Sequence, residues 1–135
     1  MDAQLTAQEN ARLVRKIMEA FANKEGFALR DCFAEDAVWH VPGTGVMSGT
    51  YRGRAEIFRF LVQLPKLTNG TYRSTFIDAL ASEERGAGLY RAQGERDGRS
   101  IDIDQLLLFT IRDGLVTEVL AVPIDPAAFD AFWAT

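Results

Sequence analysis

Apolar residues recur at intervals of three and four through the first third of the chain and at every second position through much of the second half. Val14, Ile17, Met18 and Phe21 fall at i, i+3, i+4 and i+7, with Glu9, Arg12, Arg15 and Lys16 mostly outward. That spacing predicts an amphipathic helix. Asn23-Lys24-Glu25-Gly26 ends it, and Leu29, Cys32 and Phe33 give a shorter second helical stripe. Ala37-Val38-Trp39-His40-Val41 is a short β-prone run stopped by Pro42-Gly43. A glycine-rich loop leads to a third helix from about Gly53, with Ile57, Leu61 and Leu64 on one side and Pro65 limiting its extent.

The second half reads as four strands, over residues 71–81, 87–96, 99–112 and 115–122. Two of the three links are Asp97-Gly98 and Asp113-Gly114, a pair favoured in tight hairpins because both residues tolerate positive φ. The last three strands are therefore expected to form an antiparallel meander. Asp125 can cap a final short helix with Pro126 in its first position, and Phe129, Phe132 and Trp133 can pack it. Strands this long are expected to bend, with Gly86, Gly88 and Gly94 as candidate bend or bulge points. Helices followed by a long curved sheet imply an α+β cone in which the helices cover one face and the mouth is a natural pocket.

Composition narrows the class of function. The 135 residues, 47% hydrophobic with nine phenylalanines, suffice for one domain spanning 1–135, and no linker divides them. A net charge of −4 with scattered basic residues argues against a nucleic-acid surface. No apolar run approaches the ~18 residues that span a bilayer, and the polar MDAQLTAQENARL start lacks the apolar centre of a signal peptide. The single cysteine, Cys32, allows no internal disulfide and fits a reducing compartment, so a cytoplasmic location is expected.

Several chemistries drop out. One histidine and one cysteine cannot supply the usual zinc set, and neither a GxGxxG nor a phosphate-binding loop is present, so no metal and no cofactor are expected. Gly45-Val46-Met47-Ser48-Gly49 departs from the nucleophile-elbow register, leaving Ser48 a loop serine. Cys32 lies on an apolar helix side and reads as a packed thiol.

Three strings, in this order and spacing, resemble the SnoaL-like family of the nuclear-transport-factor-2 (NTF2) and ketosteroid-isomerase superfamily. They are FAEDAVW from Phe33, SGTYRG from Ser48 and IRDGLVTEV from Ile111. The resemblance spans nearly the whole chain and implies a cystatin/NTF2-like cone, with N-terminal helices packed on a strongly curved, mainly antiparallel sheet. The superfold hosts isomerases, polyketide cyclases, hydrolases and inert binding domains, so it constrains function little. The isomerase's catalytic set does not carry across. Its first-helix tyrosine falls on Ile17, its general-base aspartate on Val41 and its oxyanion-hole aspartate on Leu106. Without a base and an oxyanion donor, steroid isomerisation is excluded. SnoaL-type cyclases place an acid/base aspartate in the long strand, near Asp102 and Asp104.

The candidate site follows from the same register. Trp39 and Val41 point to the pocket and His40 to the other side of its strand, although a slip of one residue would turn His40 inward. Asp104 shares a face with Asp102, Leu106, Leu108 and Thr110. If that face lines the cone, Asp104 stands near its mouth; otherwise the two aspartates face water. Tyr90 shares the pocket side with Ala92, Gly94 and Arg96 and offers a hydroxyl donor; Tyr51 and Arg54 flank the pocket-rim loop. Two functions stand. One is an isomerase-, cyclase- or hydrolase-type enzyme acting on a hydrophobic oxygenated metabolite, with Asp104 or His40 as acid or base, Tyr90 as donor, and Trp39, Asp102 and Tyr51 about the substrate. The other is a non-catalytic domain that binds a ligand or a protein. The family resemblance further implies a homodimer through the outer sheet face.

Overall fold

The first apolar stripe lies on α1, Ala3–Ala22, in a computed structural model that describes residues 3–135, with side chains from Thr6 onward. The first two residues of the polar start lie outside it. Val14, Ile17 and Met18 are fully buried, as their spacing requires. The second stripe is not an α-helix. Gly26–Cys32 winds as a 3₁₀ segment, and Phe33, expected to continue the stripe, is instead the first residue of strand β1, Phe33–Val41. The glycine-rich loop contains a short strand, β2 (Gly49–Arg52), paired antiparallel with β1. Helix α2, Gly53–Leu67, buries Ile57 and Phe60 and runs two residues past Pro65. Strands β3 (Arg73–Ala81), β4 (Arg85–Arg96), β5 (Arg99–Arg112) and β6 (Leu115–Pro123) follow, then α3 (Pro126–Trp133). Asp125 caps α3 as the sequence implies, accepting from the Ala128 backbone N–H at 3.0 Å.

The six strands form one sheet in the order β2-β1-β6-β5-β4-β3. Every pairing is antiparallel except β1 with β6. The three helices pack against one sheet face, α1 over β3 and β4, α2 over β1, α3 over β5, which makes an α+β cone. Both Asp-Gly links are the tight hairpins expected: Asp97 and Gly98 have φ of 49° and 78°, Asp113 and Gly114 of 50° and 77°. The register from the first hairpin is unbroken over the whole of β4, pairing it with β5 from Arg99 to Thr110.

The sheet's irregularities lie elsewhere than expected. Register shifts occur between Phe33 and Val38, between Phe76 and Asp78, and between Thr110 and Ile111, not at Gly86, Gly88 or Gly94. Those glycines serve close packing. A Cβ on Gly86 would run into Val14, one on Gly88 into Met18, and one on Gly94 would press on the Tyr72 backbone. Side chains there would push α1 off the sheet. At one end, the Asn10 amide donates to the Ser82 and Glu83 carbonyls at 3.0 and 2.9 Å, tying α1 to the β3–β4 turn. At the other, buried Arg96 donates to the Phe132 and Ala134 carbonyls at 3.0 and 2.9 Å, and Arg99 to Ala134 at 2.6 Å. Cations at those carbonyls fix the C-terminal end of α3 across the cone.

Candidate functional site

Alternation along the strands decides what faces the cone. In β5, Ile101, Ile103, Gln105, Leu107, Phe109 and Ile111 are buried, while the residues between them are exposed or half-buried. In β4, Tyr90, Ala92 and Arg96 are buried; in β1, Trp39 and Val41 are. These inward positions and the three helices enclose a cavity of ≈ 50 Å³ walled largely by Met18, Phe21, Phe60, Leu107, Phe129 and Trp133. Trp39 anchors one wall, packed edge-on against Phe21 at 6.0 Å and tilted against Phe60 at 5.6 Å.

The polar lining is sparse and clustered. Gln105 Nε2 donates to the Tyr90 hydroxyl at 2.7 Å, and Tyr90 in turn interacts with the Tyr72 hydroxyl. Ser74 also lines the cavity. Burial pushes the Tyr72 hydroxyl up to about 12 and that of Tyr90 well above its ordinary value, with the neighbouring Tyr72 adding to the second shift. Both are neutral donors at physiological pH. Two cavity-lining residues carry buried polar atoms without a partner, Trp39 Nε1 and Gln105 Oε1. A donor and an acceptor left unsatisfied beside a cavity otherwise apolar are the groups a ligand oxygen would complete. Among the described residues, no carboxylate and no imidazole lines this cavity.

A larger groove of ≈ 960 Å³ lies beside the cavity, between the end of α1, the 3₁₀ segment and α2. Phe21, Leu61, Leu64, Tyr72 and Ser74 line both spaces, so the groove adjoins the cavity along that shared wall as an outer vestibule.

The expected site residues divide between the two faces. Trp39 and Tyr90 line the cavity. Tyr51 stacks on Phe60 at 4.4 Å and donates to the Met47 carbonyl at 2.7 Å, bracing the wall from behind, and burial raises its pKa. Arg54 lines the groove and donates to the Phe33 carbonyl at 2.9 Å. Asp104 and Asp102 do not line the cone, which corrects the inward placement considered for their face. Both lie on the convex side and accept from Arg91, at 3.1 and 2.7 Å. The Arg91 bond lowers the pKa of Asp102. Leu106 is likewise convex and half-buried, so the position matched to the oxyanion-hole aspartate is not a cavity position; Gln105 and Leu107 are. His40 stays on the outer side, as the register without a slip predicts. Its Nε2 lies 2.8 Å from Glu118 Oε2 and its Nδ1 3.2 Å from Thr50 Oγ1. That chain of three sits on an open surface.

The sequence reading missed Tyr72 and Gln105. A usable signal existed for Gln105: counting equally back from each side of Asp97-Gly98 pairs Tyr90 with Gln105 and Arg91 with Asp104, and paired residues share a face. Tyr72 precedes β3 in a turn and is brought in only by tertiary packing on Gly94. Cys32 is buried as expected, and burial raises its thiol pKa. Among the described residues no group of acidic, histidine or cysteine side chains could hold a metal ion, and no helix is long and apolar enough to cross a membrane.

This geometry has relatives. Residues 14–119 match the model of the SnoaL-like domain. An uncharacterised protein of Mycobacterium bovis is 30% identical over 131 residues, covering 96% of this chain and 100% of its own. The solved structure of Bal32a, from a soil-derived mobile gene cassette, is 31% identical with a TM-score of 0.89, over 95% of this chain and 98% of that one. A Xanthomonas campestris protein of unknown function with a cystatin-like fold is 28% identical with a TM-score of 0.85, over 92% and 97%. At 19–23% identity the fold extends to an NTF2-like protein, a putative polyketide cyclase and a putative ketosteroid isomerase. A cone closed by three helices over a bent sheet, with an oily cavity at its centre, is thus this chain's share of a wider pattern: it belongs to the SnoaL-like domain family.

Proposed function

We propose that this protein binds a hydrophobic small molecule carrying a hydroxyl or carbonyl oxygen, and that it does so without acid/base catalysis. The observation that carries this reading is the cavity's polar lining, which is neutral throughout. Tyr72, Tyr90, Gln105 and Trp39 Nε1 can orient an oxygen, but none is a base near neutral pH. The two groups that could act as acid or base, Asp104 and His40, are engaged by Arg91 and Glu118 on the opposite face of the sheet. An enzyme of the isomerase or cyclase type would need one of them inside.

Calorimetric titration with biphenyl and with para-hydroxybiphenyl tests this. The hydroxyl is expected to tighten binding about ten-fold, the value of one good buried hydrogen bond, and Tyr90→Phe together with Gln105→Leu should erase that gain. Equal affinity for both compounds would contradict the reading. Turnover of any hydroxylated or keto ligand that is lost in Asp104→Asn or His40→Ala would replace it with the catalytic one.

The convex face supports a second part of the proposal, pairing with another copy of the chain. Leu89, Leu106 and Val122 lie side by side across β4, β5 and β6, as do Ala87, Leu108 and Leu120 in the next row. Leu120 remains 41% exposed. A contiguous apolar band on a sheet face is a self-complementary surface for a two-fold dimer. Leu108→Lys with Leu120→Lys should convert the dimer to a monomer in light scattering. A wild-type monomer at working concentration would remove this part alone. The buried free thiol of Cys32 supports a reducing, cytoplasmic setting.

A further inference from the structure

The vestibule carries a charge pattern that the inner cavity lacks. Its wall is apolar at Phe27, Phe58, Leu61 and Val62, with Phe27 and Val62 left 85% and 49% exposed. Around that wall stand three cations, Lys24, Arg30 and Arg54, and one carboxylate, Glu35; Arg73 also borders the groove, but its side chain bonds Gln93 toward the convex face. The whole chain has 15 basic and 19 acidic residues, so the excess of positive charge is local. Among the described residues none of the three makes an ion pair; the acids that do pair engage Arg91, Arg96 and His40 instead. Lys24 and Arg54 instead donate to neutral carbonyls, Lys24 Nζ to Gly70 at 3.4 Å and Arg54 to Phe33. Unpaired cations around a concave apolar wall focus a positive potential into the groove.

We propose that the ligand is amphipathic and anionic at its outer end, with a carboxylate or phosphate held by Lys24 and Arg30 while its apolar body lies along the vestibule and its oxygen end turns toward the cavity. This rests on the reading of the cavity as a small-molecule site. The two spaces adjoin along Phe21, Leu61, Leu64, Tyr72 and Ser74, and on this proposal a movement of those side chains lets an elongated molecule in the vestibule reach the Tyr90–Gln105 pair with its oxygen end. The charge placement specifies the orientation: oxygen at the Tyr90–Gln105 pair inside, anion at the rim. A guanidinium and an ammonium can each give charge-assisted bonds there.

Three biphenyls test this by calorimetry, all with a para hydroxyl: one unsubstituted at the far para position, one with a carboxylate there and one with a phosphate. At low salt either anion is expected to tighten binding about five-fold or more, in the range of an exposed to half-buried charge pair. The gain should shrink when salt is raised, because rim charges are screened. In the Lys24→Gln, Arg30→Gln double variant the ratio of anionic to neutral affinity should fall toward one. The tighter of the two anionic compounds identifies the head group. Neutral and anionic compounds binding equally would overturn this inference and leave the cavity reading standing. A gain that survives unchanged in the double variant would overturn the assignment to these residues. If none of the three binds, both readings fail.

Discussion

Tyr90 and Arg91 are neighbours in β4, and Gln105 and Asp104 face them across the hairpin, yet the two pairs inhabit different chemistry. The inner pair is buried, 6% and 3% exposed, neutral and linked by an uncharged hydrogen bond. The outer pair is a salt bridge in contact with water, with the Arg91 and Asp104 side chains each 42% exposed. The same holds in β1, where Trp39 walls the cavity and His40 pairs with Glu118 outside. One residue of parity separates a site that can recognise an oxygen in an oily cavity from a surface that binds charge in water. In this sheet the carboxylate of Asp104 and the imidazole of His40 stand on the wrong side for the cavity.

Packing should break the symmetry of the two faces most strongly. Phe109 faces inward at 0% exposure and its neighbour Thr110 faces out. Phe109→Ala is expected to cost about 3–5 kcal/mol in urea unfolding. Thr110→Ala should stay within about 0.5 kcal/mol. Comparable losses at both positions would mean that the two faces are not packed differently.

A smaller effect belongs to the buried hydroxyls. Tyr72 and Tyr90 have pKa values raised in the fold, Tyr72 to about 12 from an ordinary 10.0. Below pH 10 both states keep these protons and the contribution to stability is constant. Above it the unfolded chain releases protons that the fold retains, so stability falls as pH rises toward the folded pKa. The slope is about 1.4 kcal/mol per pH unit for each such tyrosine. Urea midpoints measured between pH 8 and 11.5 should fall gently once pH passes the ordinary thiol value of 9.0, where buried Cys32 holds its proton, and more steeply above 10; Tyr72→Phe should flatten the steeper part. An upper limb as steep in Tyr72→Phe as in the wild type would point to another group.

The smallest expected change sharpens the comparison from the convex side. Asp104→Asn and His40→Ala should leave the affinity for para-hydroxybiphenyl unaltered, since both side chains are separated from the cavity by the sheet itself. A matching loss of affinity in either variant would couple the outer face to the cavity.

Much of this was legible before any coordinates. The helical stripe of α1, the two Asp-Gly hairpins, the capped α3 and the outward His40 all follow from local rules, because periodicity and turn chemistry act over a few residues. Leu106 and Asp104 were misplaced for a physical reason too. Family register was counted through a strand, where an error of one residue inverts the face, while the two-residue turn at Asp97-Gly98 already fixed Tyr90 opposite Gln105. The two placements of Tyr90 and Asp104 on one face were incompatible with that turn. Tyr72 and the apolar vestibule were not legible at all, because they arise where the start of β3, α1 and α2 meet in space. Short β2 was hidden by its glycines, which read as loop until β1 supplies a partner.

A crystal structure of the protein with para-hydroxybiphenyl bears most directly on the account. The ligand hydroxyl is predicted to lie within about 2.5–3.2 Å of the Tyr90 Oη or Gln105 Oε1, its rings along the vestibule wall at Phe21, Leu61 and Leu64 and its far end toward Lys24 and Arg30. A ligand seated on the convex face beside Asp104 or His40, or one in the cavity with its hydroxyl turned away from the Tyr90–Gln105 pair, would contradict it.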